Sequence, residues 1–357
     1  MSVGATRNPN FTVNPCQPRI FTKQEINYCE NDDFLGSGGF GIVYRCYLAN
    51  PRKLVAVKVF KMPQRLQQME EKSFVQKAYI LQRLVDCPYI VRFLGLCIDP
   101  GHYAIIMEHV EYGDLENLLL HAVEDHPAIK QWDCRIRMAQ EIAKGMEYLH
   151  SLEPPIIHRD LKTKNVLVGH KYLCKIIDFG LAKVRNISTQ ITGNCVKGTV
   201  AFTAPELFNA EVQKGNEMKI DVYSYAMILW QLKEMKQLYV GLKFEVVRIN
   251  VLAGQRPALS DDDSIKEYND VIVCCWDTKP ADRLNFKDIV HVLDGIMSQM
   301  NVRLRCSDTP SPPREDARAL VITSLLLSHV FTYFLIRMRK PHQYLLHNAI
   351  CPSFNFL

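Results

Sequence analysis

The stretch "IIHRDLKTKNVLV", residues 156–168, sets a carboxylate (Asp160), an ammonium (Lys162) and an amide (Asn165) within six residues, between two apolar runs of strand character. Taken singly, Asp160 reads as a turn-forming side chain and Asn165 as a cap. Their joint spacing asks for a reaction that uses all three. A second aspartate follows close behind, Asp178 in "IIDFG".

Upstream, "GSGGFG" places glycines at 36, 38, 39 and 41. Without side chains, such a loop lets backbone amides approach phosphates closely. A dinucleotide-binding turn would open a helix, but here the β-type residues Ile42, Val43 and Tyr44 follow, so the glycines belong to a hairpin. Lys58 then lies in "VAVK", where strand alternation puts Ala56 and Lys58 on one face and Val55, Val57 and Val59 on the other. A lone lysine there would be a snorkelling surface residue. It gains meaning only from the hairpin before it.

Further out, short strand-like runs ("FLGSGGFGIVYRCYL", "LVAVKVF", "YAIIMEHV") fill the first third, interrupted by one helical segment, "EEKSFVQKAYILQRL". Beyond Gly113 the pattern turns helical. Ile136, Ala139, Ile142, Ala143, Met146 and Leu149 recur at helical spacing, and "DVYSYAMILWQL" (221–232) is apolar nearly all round, as in a helix at the centre of a lobe. After about residue 300, "RCSDTPSPPREDAR" reads as a linker, and 319–336 form an uncharged run of 18 residues. At ~1.5 Å per residue that run reaches about 27 Å, just short of a hydrocarbon core, so it is a borderline candidate for membrane association.

Composition excludes some functions. With 48% apolar and 23% charged residues among 357, the chain is an ordinary globular one with material for two lobes. A net charge of +5, spread along the chain, offers no basic stripe for nucleic acid. The twelve cysteines form no C-x-x-C pair and lie mostly in apolar runs, as reduced core thiols do. The start of the chain shows no signal-peptide apolar region.

Together "HRDLKTKN" and "DFG", preceded by the glycine hairpin and "VAVK" and followed by "APE" (204–206), "DVYSYAMILW" (221–230) and "CWDTKPADRLNF" (275–286), resemble the ordered motifs of protein kinases. The pattern is most similar to the tyrosine-kinase-like group of serine/threonine kinases, and more loosely to receptor-interacting and mixed-lineage kinases. The resemblance covers about residues 29–297. It implies an α+β bilobal fold, with a small antiparallel-sheet lobe plus one helix (29–110) and a larger, mainly helical lobe (111–298). Residues 1–28 are expected to be a flexible extension, 299–318 a linker and 337–357 a tail.

The same resemblance implies ATP and Mg2+ as cofactors and a protein Ser/Thr hydroxyl as substrate. Asp160 would accept the hydroxyl proton, Lys162 would neutralise the transferring phosphate, and Lys58 would hold the ATP phosphates. Asn165 and Asp178 would hold the magnesium ions. Leu35, Gly36, Ser37, Gly38, Gly39, Phe40, Gly41 and Val43 would cover the nucleotide, with Ala56 beneath it. Met107, as gatekeeper, Glu108 and Val110 would line the hinge, and Asp114 would lie near the ribose. Lys162 is the serine/threonine-type residue of this loop, and Thr199 would approach Asp160. Glu206 and Arg283 would form a buried ion pair. Arg159 could meet a phosphate placed on Ser188, Thr189 or Thr192.

Lys77 departs from the pattern. Kinases hold the strand lysine with a glutamate on the small-lobe helix, and the register set by Leu81, Leu84, Pro88 and Val91 puts Lys77 at that position. Glu70 and Glu71 lie seven and six residues earlier. Two readings follow. One is an active serine/threonine kinase in intracellular signalling, its kinase domain cytoplasmic and 319–336 membrane-associated. The other is a pseudokinase scaffold that binds nucleotide without efficient turnover. Leu284, where a proline is usual, and Ala226, where a glycine is, are smaller departures.

Overall fold

The computed structural model describes residues 18–28, 34–38, 41–60, 80–84, 87–99, 102–178, 183–184, 200–209, 212–260 and 266–307. The chain divides into two compact units, 1–297 and 298–357. Every site discussed below belongs to the first.

Its first part is a sheet in the order β1-β6-β7-β5-β4-β2, with β3 also paired to β4. The strands are β1 (Arg19–Phe21), β2 (Ile26–Tyr28), β3 (Phe34–Gly38), β4 (Gly41–Leu48), β5 (Lys53–Phe60), β6 (Phe93–Asp99) and β7 (His102–Glu108). The β-branched and aromatic residues of β4, β5 and β7 suit a pleated, half-buried surface. Alternation sorts them as the sequence predicts: Val55 and Val57 are fully buried, and join Cys46, Leu48, Cys97, Ala104 and Ile106 in one core, while Ala56 and Lys58 face the other way.

Residues 18–28 are not a flexible extension but carry two strands, β1 running parallel to β6 and β2 antiparallel to β4. Phe21 and Ile26 enter the core at 2% and 3% exposure. Burying two such side chains stabilises the edge by about 1.5–3 kcal/mol each. Gly95 makes the docking of β1 possible, because a Cβ there would run into the Arg19 carbonyl and the Phe21 ring.

Helices dominate from Leu115 onward: α1 (Leu115–Leu120), α2 (Trp132–Ser151), α3 (Pro205–Phe208), α4 (Lys219–Glu234), α5 (Phe244–Leu252), α6 (Lys266–Cys275) and α7 (Phe286–Ser307). All six predicted stripe residues of α2 are fully buried. In α4 every residue from Ile220 to Lys233 is buried, which explains its lack of a polar face. The Tyr225 hydroxyl donates to the Ala139 carbonyl at 2.8 Å and ties the two helices together. Two short antiparallel sheets, β8 (Ile156–Ile157) with β11 (Lys183–Val184) and β9 (Val166–Val168) with β10 (Cys174–Ile176), are built from this part of the chain. The 3–10 turn Thr163–Asn165 lies between them.

Glu206 and Arg283 form the expected pair, two bonds of 2.7 and 2.8 Å between almost fully buried side chains. Leu284 and Ala226 are core residues. The helical segment expected from the sequence lies outside the described residues up to Tyr79, with Glu70, Glu71 and Lys77, as do Gly39, Phe40, Ser188, Thr189, Thr192, Thr199 and the run 319–336. Among the described residues no helix is long and apolar enough to cross a membrane.

Candidate active site

The loop between β8 and β9 draws Asp160, Lys162 and Asn165 into one cluster. Lys162 Nζ donates to both carboxylate oxygens of Asp160, at 3.0 and 2.8 Å. Asn165 Nδ2 donates to the Asp160 carbonyl at 2.7 Å and to its Oδ2 at 3.0 Å. These bonds set the orientation of the Asn165 amide, so that Oδ1 is the atom it offers as a ligand. Asp160 keeps its side chain 14% exposed, enough to meet a hydroxyl.

Buried groups hold this loop from below. The Asp221 carboxylate, at the start of α4, accepts the backbone N–H of His158 and that of Arg159, both at 2.8 Å, and His150 Nε2 at 2.9 Å. Burial alone would push the Asp221 carboxyl up. The bond and charge of His150 and the Arg159 amide overcome that, and leave it below the usual carboxylate range. Arg159 is fixed in the left-handed region, φ 66°, a conformation costing about 1–2 kcal/mol that the two amide bonds offset. Burial also pulls the Arg159 guanidinium below its ordinary value, against the opposing charge of Asp221.

His158 joins the loop to the second aspartate. Its Nε2 donates to the Ile177 carbonyl at 2.9 Å, which leaves Nδ1 to accept the Asp160 N–H at 3.3 Å. Ile177 N–H donates to the Asn165 carbonyl at 2.9 Å. Asp178 follows at φ 60°, again left-handed, and its carboxylate Oδ1 lies 3.0 Å from Lys58 Nζ. One network therefore runs from Asp160 through His158 and Ile177 to Asp178 and Lys58. Strained residues held by such a network are what pre-organised sites contain.

Comparison with known proteins agrees with this geometry: residues 29–293 match the family of protein tyrosine and serine/threonine kinases. The chain belongs to this family. The fold is the bilobal kinase fold. Relatives include a mouse protein, "Ankyrin repeat and protein kinase domain-containing protein 1", 30% identical over 78% of this chain and 37% of its own length. Another is the "Dual specificity protein kinase shkA" of Dictyostelium discoideum, 36% identical over 78% of this chain and 51% of its own. A third is the "Serine/threonine-protein kinase CTR1" of Arabidopsis thaliana, 32% identical over 82% and 34% respectively. The chain spans about a third to a half of the length of these three.

The remaining predicted positions of this kinase domain lie on β3, β4, β5 and β7 and in the segment that follows β7. Leu35 is half exposed, and Gly36 has open space where a side chain would stand. Gly41 differs: a Cβ there would strike the Val59 carbonyl across the β4–β5 pair, so this glycine serves the sheet. Ser37 and Gly38 pair with Ile42 and Gly41 at the hairpin, and Val43 faces Lys58. Met107 pairs with Ala56, and Val110 is buried. Asp114 caps α1, accepting the Asn117 N–H at 2.9 Å, so the structure gives it a local role besides the ribose contact implied by resemblance.

Asn165 and Asp178 fit a magnesium ion. Both offer only oxygen donors, which hard cations take. That suits a cation held by one or two side chains together with substrate phosphates. Sequence reading missed Asp221, His150 and the linking role of His158. "DVYSYAMILW" was visible as a motif, but its aspartate shows its role only through contacts some 62 residues away.

Proposed function

We propose that this chain is an ATP- and magnesium-dependent protein kinase that phosphorylates serine or threonine hydroxyls. The observation that carries the reading is the Asp160–Lys162–Asn165 cluster, joined through His158 to the carbonyl of Ile177, the residue before Asp178, which in turn meets Lys58. Asp160 accepts the proton of the substrate hydroxyl as its oxygen attacks the γ-phosphorus. The bond from that phosphorus to the bridging oxygen breaks, and ADP leaves. Lys162 and Lys58 stabilise charge on the phosphates, and the glycine hairpin covers them. Asn165 and Asp178 would hold magnesium, which would supply charge neutralisation at the phosphates. Lys162 supports a serine/threonine preference by resemblance.

The test is phosphorylation of a general protein substrate by the purified chain with ATP and magnesium, beside an Asp178→Asn control. Phosphoserine or phosphothreonine above the control is the expected result; equality with the control sinks the reading. Lys77, at the usual glutamate position, and the engagement of Lys58 with Asp178 favour a second reading, a pseudokinase scaffold. Nucleotide binding without turnover would select it. A signalling role in the cytosol, with 319–336 associated with membrane, rests on the family resemblance and on that uncharged run. Equal partitioning of the full chain and of one ending at Gln299 between soluble and membrane fractions would remove the membrane part.

A further inference from the structure

Glu108 ends β7 at the hinge, and Lys175 lies in the middle of β10, three residues before Asp178. Lys175 Nζ donates to Glu108 Oε1 at 2.7 Å, and the same oxygen accepts the Arg92 N–H at 2.8 Å. Glu108 N–H in turn donates to the Arg92 carbonyl at 3.0 Å. The segment just before Arg92 is itself stitched to β10. Ile176 N–H donates to the Tyr89 carbonyl at 2.8 Å, and Val91 N–H to the Ile176 carbonyl at 3.0 Å. The two charged side chains are only 16% and 24% exposed, so their charge-assisted bond is less screened than an ion pair on the rim.

We propose that Glu108 and Lys175 are a positioning pair. Lys175 clamps the hinge to the strand that leads into Asp178, so that the backbone meeting the nucleotide base and the carboxylate at the phosphate end keep one register. The inference rests on the nucleotide-binding reading above. The pair touches no reacting atom. Its effect therefore falls on how tightly and where the nucleotide sits, not on the transfer step once the site is filled.

The test compares Lys175→Met and Lys175→Arg in the full chain. Lys130→Met, which removes a solvent-exposed pair with Glu124, is the control. KM and kcat for ATP, the affinity for a fluorescent ATP analogue, and hydrogen exchange in a peptide covering 104–113 are measured. Lys175→Met raises KM and Kd by roughly tenfold, equivalent to about 1.4 kcal/mol. Its kcat at saturating ATP stays within about twofold of wild type. Exchange in 104–113 quickens, and Lys175→Arg restores all three values because it keeps the charge-assisted bond. A loss confined to kcat, or a KM equal to that of the control, overturns the proposal. If the wild-type chain binds no nucleotide, the functional reading falls separately and exchange decides the clamp. Unchanged exchange in Lys175→Met then refutes it, and faster exchange absent from the control supports it.

Discussion

Lys58 Nζ lies 3.0 Å from Asp178 Oδ1, with the two side chains 14% and 28% exposed. The strand lysine is thus held by the residue proposed to hold magnesium. Lys58→Met removes a preorganised charge at the phosphates, and transfer is expected to fall by about 10²–10³-fold. Asp178 loses its partner too, so a melting curve is recorded in parallel. Transfer within a few-fold of wild type would show that Lys58 is not part of the site.

The same pair gives Lys77 its interest. By family pattern a glutamate at that position would compete with Asp178 for Lys58. Lys77→Glu should therefore raise phosphoryl transfer, or create it where the wild type shows none. Initial rates at saturating ATP measure this. A lower rate at unchanged melting temperature would mean that Lys77 has a working role of its own.

Asp160→Asn keeps the shape of the side chain but cannot accept a proton. The amide also turns donors toward Lys162 or Asn165, in place of an acceptor for their bonds of 2.8 and 3.0 Å. Transfer should drop by roughly 10²–10⁴-fold while ATP affinity holds. An ATP affinity that falls in step with the rate would indicate a collapsed loop instead of a missing base.

Two glycines of the hairpin should separate under the same substitution. Gly41→Ala forces a Cβ against the Val59 carbonyl and should destabilise the small-lobe sheet by about 1–3 kcal/mol. Gly36→Ala meets nothing within 4 Å, so the melting temperature stays while nucleotide affinity declines. Thermal melts with and without ATP distinguish the two. Identical behaviour of both variants would refute the division of roles.

Much of this was legible in the sequence because it is local. The loop 156–168, the alternation Val55–Lys58 and the stripe of α2 each reveal themselves within a short window. The strands Arg19–Phe21 and Ile26–Tyr28 did not, since three residues are too few for a period of two and their partners lie in β6 and β4. Distance hid the supports as well. Asp221 acts on amides 62 and 63 residues away, and Lys175 on a carboxylate 67 away. Charge type alone could not pick these residues from the other acids and lysines.

Asp221 should also govern the acid limit of stability. Its carboxyl is held below the ordinary range in the folded chain, against about 3.9 when unfolded. The stabilisation is complete above the unfolded value and is lost as pH falls through the folded one, because the unfolded state then binds the extra proton. Asn at 221 removes this titration and aims an N–H2 at one of the two loop amides, leaving a buried donor unmatched at a cost of about 1–3 kcal/mol. Asp221→Asn is thus less stable than wild type at pH 7, but the difference narrows below about pH 4. Urea midpoints measured from pH 7 down to pH 3 test this directly. Curves for the two proteins that run parallel across the range would show that the carboxylate beneath the loop does not titrate with folding.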